Sequence, residues 1–176
     1  VVVSELSEIS EQADFESRAL SIHRLFVVCR AGHPLTTLKT VTPQDLFKFP
    51  IAGPQLPGPA FERLCTLAPQ PMRAAMRRQG ALTIQCDSSA VLKAVAMDSD
   101  AISMMTPFML PVELAGGQLV VLRDLDLGIP ARFGAVWISG RTVSTATTAF
   151  LEILAAYDQE LQASELNLRS GARQDS

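Results

Sequence analysis

The stretch of residues 82–95 constrains this chain most, because it passes from strand to tight turn to helix without a linker. Residues 82–86 are apolar and β-prone. Asp87-Ser88-Ser89 then supplies the side-chain oxygens that cap a helix, and Val91, Leu92 and Val95 follow on one helical face. A strand that hands over directly to a helix is the building unit of α/β proteins, whose largely parallel sheets are covered on both faces. The pattern continues. Asp98-Ser99-Asp100 stops the helix, residues 101–106 form the next strand, residues 107–114 a short helix before Gly116-Gly117, and residues 119–122 another strand. A turn over 124–130 leads to a strand at 133–138, a turn at Ser139-Gly140 and a long helix from about Ser144 to Leu161. The polar composition of residues 164–176 predicts a disordered tail.

The N-terminal half carries weaker signals of the same kind. Val1-Val2-Val3 reads as a short buried strand, and residues 4–17 as a polar, acidic connection. Leu25-Phe26-Val27-Val28-Cys29 is a second buried strand, closed by the breakers Gly32-His33-Pro34. Thr42 and Pro43 have the chemistry of an N-cap and first helical residue. Residues 49–52 are strand-like, the turn at 53–59 leads to a helix over 60–67, and the arginine-bearing segment 69–80 fits helix or loop.

Charge and cysteine usage remove several function classes. A net charge of -3 with scattered arginines gives no stripe able to neutralise phosphates. Cys29, Cys65 and Cys86 are odd in number and set in apolar surroundings, which suits a reducing, cytoplasmic compartment rather than a disulfide framework. No run reaches the ~18 apolar residues that span a bilayer. Neither a metal-ligand spacing, nor a Gly-rich phosphate loop, nor a nucleophile elbow is present, so no cofactor, metal or catalytic residue is expected.

Several local patterns, in order, resemble the regulatory domain of LysR-type transcriptional regulators. They are Arg24-Leu25-Phe26-Val27-Val28-Cys29 with Gly32-His33-Pro34-Leu35, then Thr40-Val41-Thr42-Pro43-Gln44-Asp45-Leu46 with Phe49-Pro50-Ile51. Further on come Leu92-Lys93-Ala94-Val95-Ala96 with Ala101-Ile102 and Pro107, the run from Glu113 to Val120, and Arg141-Thr142-Val143-Ser144 through Phe150-Leu151. The departures are Asp98-Ser99-Asp100, where the family often has glycines, and Thr145, where proline is common. Aspartate enters left-handed backbone more easily than most residues, which would preserve that turn.

The resemblance implies a two-lobed, periplasmic-binding-protein-like (type 2) α/β fold. On it, residues 1–48 and 131–161 form a first lobe that is incomplete, and residues 49–130 the second. The helix-turn-helix that contacts promoter DNA would precede Val1, and the full-length protein would be a dimer or tetramer with no membrane association. A first lobe lacking strands would leave the edge of Val1 to Val3 open, which predicts low stability.

The effector, a small organic acid or similar anion, is then expected between the lobes, near Ser4, Glu5, Arg24, Pro54, Gln55, Ser88, Ser89 and Thr106. The free N–H groups at a helix start suit a carboxylate, whereas Ser88 as a plain cap is the equally weighted reading and Asp87 would repel an anion. Arg24 offers a bidentate contact, against a solvated surface role. His33 is expected in a turn, His23 has less support for any role, and Met104, Met105 and Met109 are expected in the core. The function this implies is a non-enzymatic sensor. A solute-binding protein of a transport system shares the architecture and is the competing reading.

Overall fold

The helices that follow Thr42, Ser88 and Ser144 start where their caps place them, whereas the helix expected over 60–67 begins at Gly58 and the one expected over 107–114 is a 3-10 turn followed by a helix from Pro111; the pairing of the strands follows contacts that lie far apart in the chain. The computed structural model describes residues 1–7, 14–123 and 125–171, the last five of these as backbone only. Along the chain, strands β1 (Val2–Glu5), β2 (Phe15–Arg24) and β3 (Phe26–Arg30) precede helix α1 (Pro43–Leu46), β4 (Ile51–Gly53), α2 (Gly58–Leu67), α3 (Gln70–Gln79) and β5 (Ile84–Gln85). Then follow α4 (Ser89–Asp98), β6 (Ile102–Met105), α5 (Pro111–Ala115), β7 (Leu119–Val121), β8 (Pro130–Ile138) and α6 (Thr145–Gly171). Two compact units result, Val1–Arg24 with Pro130–Ser176, and Leu25–Ile129.

In the first unit β8 lies between β1 and β2, antiparallel to both. Gly134 pairs with Ser4 on one side and Ala19 on the other. A Cβ there would stand 2.5 Å from Leu6 Cδ1 and 2.8 Å from the Arg18 carbonyl, so only glycine fits the centre of this sheet. Helix α6 packs on β2 and buries Leu151, Asp158 and Glu165, which recur every seven residues on one side of the helix.

Three expectations are corrected in this unit. Val1 to Val3 are exposed, not buried, because β1 is an edge strand of a three-stranded sheet. The connection expected over residues 4–17 gives way at Phe15 to a ten-residue strand in which only His23 is buried. Helix α6 runs through 164–171, expected as disordered tail, since Glu165 is buried against β2; residues 172–176 lie outside the described residues.

The second unit is a five-stranded sheet of order β5-β4-β6-β3-β7. Strand β4 runs parallel to β5 and β6, whereas β3 is antiparallel to β6 and β7. Four of the five strands therefore run the same way, as expected of a largely parallel sheet, and β3 alone runs against them, because the chain enters this unit at the end where the other four strands finish. Alternate residues feed two cores. Val27, Cys29, Ile51, Ile102 and Met104 pack with Leu46, Leu64, Cys65 and Met76 of α1 to α3, while Val28, Ala52 and Met105 pack with Leu92 and Ala96 of α4. Burial on both faces explains the unbroken apolar runs.

The first boundary also moves. Residues 25–48, expected with the first lobe, belong to the second unit, because β3 lies between β6 and β7 with Val27, Val28 and Cys29 fully buried. The turn after α4 is made without left-handed aspartate: no described non-glycine residue has positive φ, and Ser99 is extended at φ -146. Asp100 instead accepts from Arg30 Nε at 3.1 Å and Nη2 at 2.7 Å.

Candidate functional site

The parallel strands β5, β4 and β6 are adjacent and end on the same side of the sheet, where α/β proteins bind ligands. Their C-terminal extensions bring together Asp87, Ser88 and Ser89 after β5, Pro54 and Gln55 after β4, and Thr106 after β6. A backbone bond from Cys86 N to the Gly53 carbonyl (3.0 Å) and a side-chain bond from the Ser103 hydroxyl to the Ala52 carbonyl (2.8 Å) hold the three ends in step.

Ser88 is the N-cap of α4, its hydroxyl accepting from Val91 N at 3.4 Å, and the exposed Ser89 opens the ten-residue helix. A cap bond this long leaves the helix N-terminus weakly satisfied. Pro54 and Gln55 are exposed, and Gln55 N donates to Asp87 Oδ1 at 3.4 Å. Thr106 is different: it is fully buried, and its hydroxyl has no hydrogen-bond partner among the described residues. A hydroxyl left unpaired in this way costs about 1–3 kcal/mol, a penalty that a polar ligand atom or a water would relieve.

The other three expected residues lie in the first unit. Ser4 and Glu5 close β1 opposite Gly134 and Phe133, and Arg24 closes β2 opposite Pro130. The Glu5 carboxylate accepts from Ser7 N at 2.9 Å and Ser7 Oγ at 2.6 Å. The Arg24 amide donates to Glu165 Oε1 at 2.9 Å. Of the eight residues, Ser4 alone borders a groove of about 790 Å³ on this unit, lined also by Val2, Phe15, Trp137, Arg141 and Ser144.

Sequence reasoning passed over the most engaged polar cluster. His23 is buried between two carboxylates of α6, with Nε2 2.8 Å from Asp158 Oδ1 and Nδ1 3.0 Å from Glu165 Oε2. An acceptor at each ring nitrogen requires a proton along each contact, so the three side chains share two protons between them. Asp158 also accepts from Ser21 N at 2.7 Å. Burial pushes the Asp158 carboxyl up, but the hydrogen bonds from His23 and Ser21 and the charge of His23 together outweigh it and hold the group below the usual range. The available signal was two acids seven residues apart on the otherwise apolar side of a helix.

His33 is buried in the expected turn, accepting from Leu35 N at Nδ1 and placing Nε2 3.2 Å from the Asp100 carbonyl. Cys29 is buried in β3, and burial pushes its thiol up to about 11 although Arg30 opposes the shift. Among the described residues no group of three His, Cys, Asp or Glu side chains is arranged for a metal ion. Within the same residues no helix is long and apolar enough to cross a membrane.

A family model described as the LysR substrate binding domain matches residues 1–159. The chain is 30% identical over 163 residues to the SDS degradation transcriptional activation protein of a Pseudomonas species, covering 89% of this chain and 50% of that protein. It thus spans about half the length of that curated relative. Among solved structures, the regulatory domain of CcmR from Synechocystis PCC6803 in complex with 2-PG matches with a TM-score of 0.61 at 19% identity, over 89% of this chain and 72% of that one. The bromide-bound regulatory domain of HypT from Salmonella typhimurium matches with a TM-score of 0.55 at 25% identity, over 94% of this chain and 71% of that one.

Proposed function

The chain belongs to the LysR substrate-binding domain family, whose members share a periplasmic-binding-protein-like type 2 fold, and on that premise we propose that it is the effector-sensing part of a transcriptional regulator. The observation that carries the reading is the convergence of Gln55, Ser88, Ser89 and the unpartnered Thr106 hydroxyl at the ends of three adjacent parallel strands, beside a helix N-terminus. Free N–H groups and hydroxyls recognise a small organic anion, and two relatives carry 2-PG and a bromide ion. Family membership favours this reading over a transport-linked solute-binding protein.

In this reading the effector acts through different affinity for two arrangements of the lobes, and promoter DNA is contacted by a helix-turn-helix outside these residues. The role is non-catalytic, and the complete regulator works as a cytoplasmic homo-oligomer. A panel of small carboxylates and amino acids, screened by thermal shift on this chain and on the full-length regulator, tests it. A ligand present at 100 times its Kd adds about 2.7 kcal/mol of stability, and Thr106→Val or Ser88→Ala should remove most of that gain. No stabilisation by any member of the panel sinks the reading.

A further inference from the structure

The first unit carries a groove of about 790 Å³ that the sensor reading of the second unit leaves unused. Small-molecule sites span roughly 300–1,000 Å³. The apolar lining comes from the three-stranded sheet. Val2 pairs with Val136 and Phe15 with Ile138, and Val136 and Ile138 stand two residues apart on β8, so the four side chains share one face. That face is left open to solvent, with Val2 65% exposed, Ile138 50% and Phe15 41%. Contiguous apolar surface held in water marks a place of interaction. Trp137, the chain's single tryptophan, lines the same groove.

The rest of the lining has the opposite character. Residues 141–147 lead from the turn after β8 into α6 and contribute Arg141, Thr142, Ser144 and Thr147. Ser144 caps the helix, its Oγ accepting from Thr147 N at 3.1 Å and its carbonyl from Thr148 N at 2.9 Å. The Thr145 and Ala146 amides are left without an intrahelical acceptor, at the positive end of a 27-residue helix whose first turn holds no acid. Arg141 is exposed and forms no ion pair among the described residues. The acid in this register, Glu16 opposite Trp137, is already engaged, accepting from Ser139 Oγ at 3.2 Å and Gly140 N at 3.1 Å. A wholly polar anion would leave the sheet face wet, and a neutral hydrocarbon would leave Arg141 unanswered. An aliphatic chain ending in a carboxylate or a comparable anionic head satisfies both.

We propose that this groove binds a single-chain amphiphilic anion, its aliphatic tail on Val2, Phe15, Val136 and Ile138 and its head at Arg141 and the start of α6. The site lies wholly in the first unit and does not rest on the effector reading of Gln55, Ser88, Ser89 and Thr106.

Decanoate, kept below its micelle concentration and followed by Trp137 fluorescence on the whole chain, tests the proposal. It should give a saturable change at one molecule per chain, and octanoate, shorter by two methylenes, should bind about tenfold more weakly. Decanol, with the same tail and no charge, should also bind about tenfold more weakly, and decyltrimethylammonium should not compete. Arg141→Gln should weaken decanoate by about tenfold and leave decanol unchanged. Ile138→Asp, at an exposed strand end, should weaken both, and Arg78→Gln, exposed on α3 of the second unit, should change neither. Equal affinity for decanoate, decanol and the ammonium compound marks non-specific detergent binding and overturns the proposal, as does a decanoate titration unaltered by Arg141→Gln. Trp137 emission that changes with protein concentration alone means that a second copy fills the groove, and binding lost in the full-length regulator means that another part of the chain does. Either result overturns it.

Discussion

Thr106 and Asp158 are both buried polar residues, yet the structure treats them oppositely. The Thr106 hydroxyl is unpaired among the described residues, so Thr106→Val replaces an unmet donor with a methyl group of the same shape. Chemical denaturation should show the ligand-free variant unchanged or more stable by about 1 kcal/mol, while its response to any effector weakens. A marked loss of stability would mean that the hydroxyl is already satisfied. Asp158, by contrast, meets His23 and the Ser21 amide, and its carboxyl is held lower in the folded chain than in the unfolded one. The stability it contributes is therefore complete above the ordinary carboxylate range and is lost as pH falls through the folded value. Asp158→Asn should cost about 1.5–3 kcal/mol at pH 7, and the urea midpoints of the two proteins should converge as the pH falls below the ordinary carboxylate range. A gap that stays constant with pH would show that charge is not what Asp158 supplies.

Among the elements, those bounded by local chemistry were legible. Thr42 and Pro43 open α1, Ser88 caps α4, and the Gly-rich turn after α5 leads into β7. The places of Gln55, Ser88, Ser89 and Thr106, after strands and at a helix start, were legible for the same reason, while a role for them in binding is our proposal. Strand β2 was not. Its sequence offers no apolar alternation, a register irregularity interrupts it, and it is held by β8 more than a hundred residues away and by two acids of α6. The last turns of α6 were hidden likewise, because the buried positions there are Asp158 and Glu165 rather than leucines. Assignment of β3 to the second unit depends on pairing with β6 and β7, which no local pattern encodes. Strand β8 supplies a prediction at this scale. Gly134→Ala would drive a methyl group into the Arg18 carbonyl and Leu6, so the strands on either side must shift. It should lower stability by about 1–3 kcal/mol, read as a drop in Tm, and an unchanged Tm would show that the sheet yields there.

For the molecule as a whole, the two units differ in how much apolar surface they bury. The second unit sandwiches its sheet between two clusters built from five helices, whereas the first has one helix on a three-stranded sheet and exposes Val1, Val2, Phe15, Ile22, Ile138, Phe150, Ile153 and Tyr157. Apolar burial is the main favourable term in folding, so the first unit should be the less stable. That expectation refines the low stability anticipated from an open edge at Val1 to Val3: the weakness belongs to one unit. The chain's single tryptophan, Trp137, and single tyrosine, Tyr157, both lie in the first unit, so intrinsic fluorescence reports on it alone. Far-ultraviolet circular dichroism reports on both. In a urea titration the fluorescence transition should therefore come first, with dichroism showing a second transition at higher denaturant as the five-stranded unit opens. Coincident curves would mean that the two units unfold as one cooperative body.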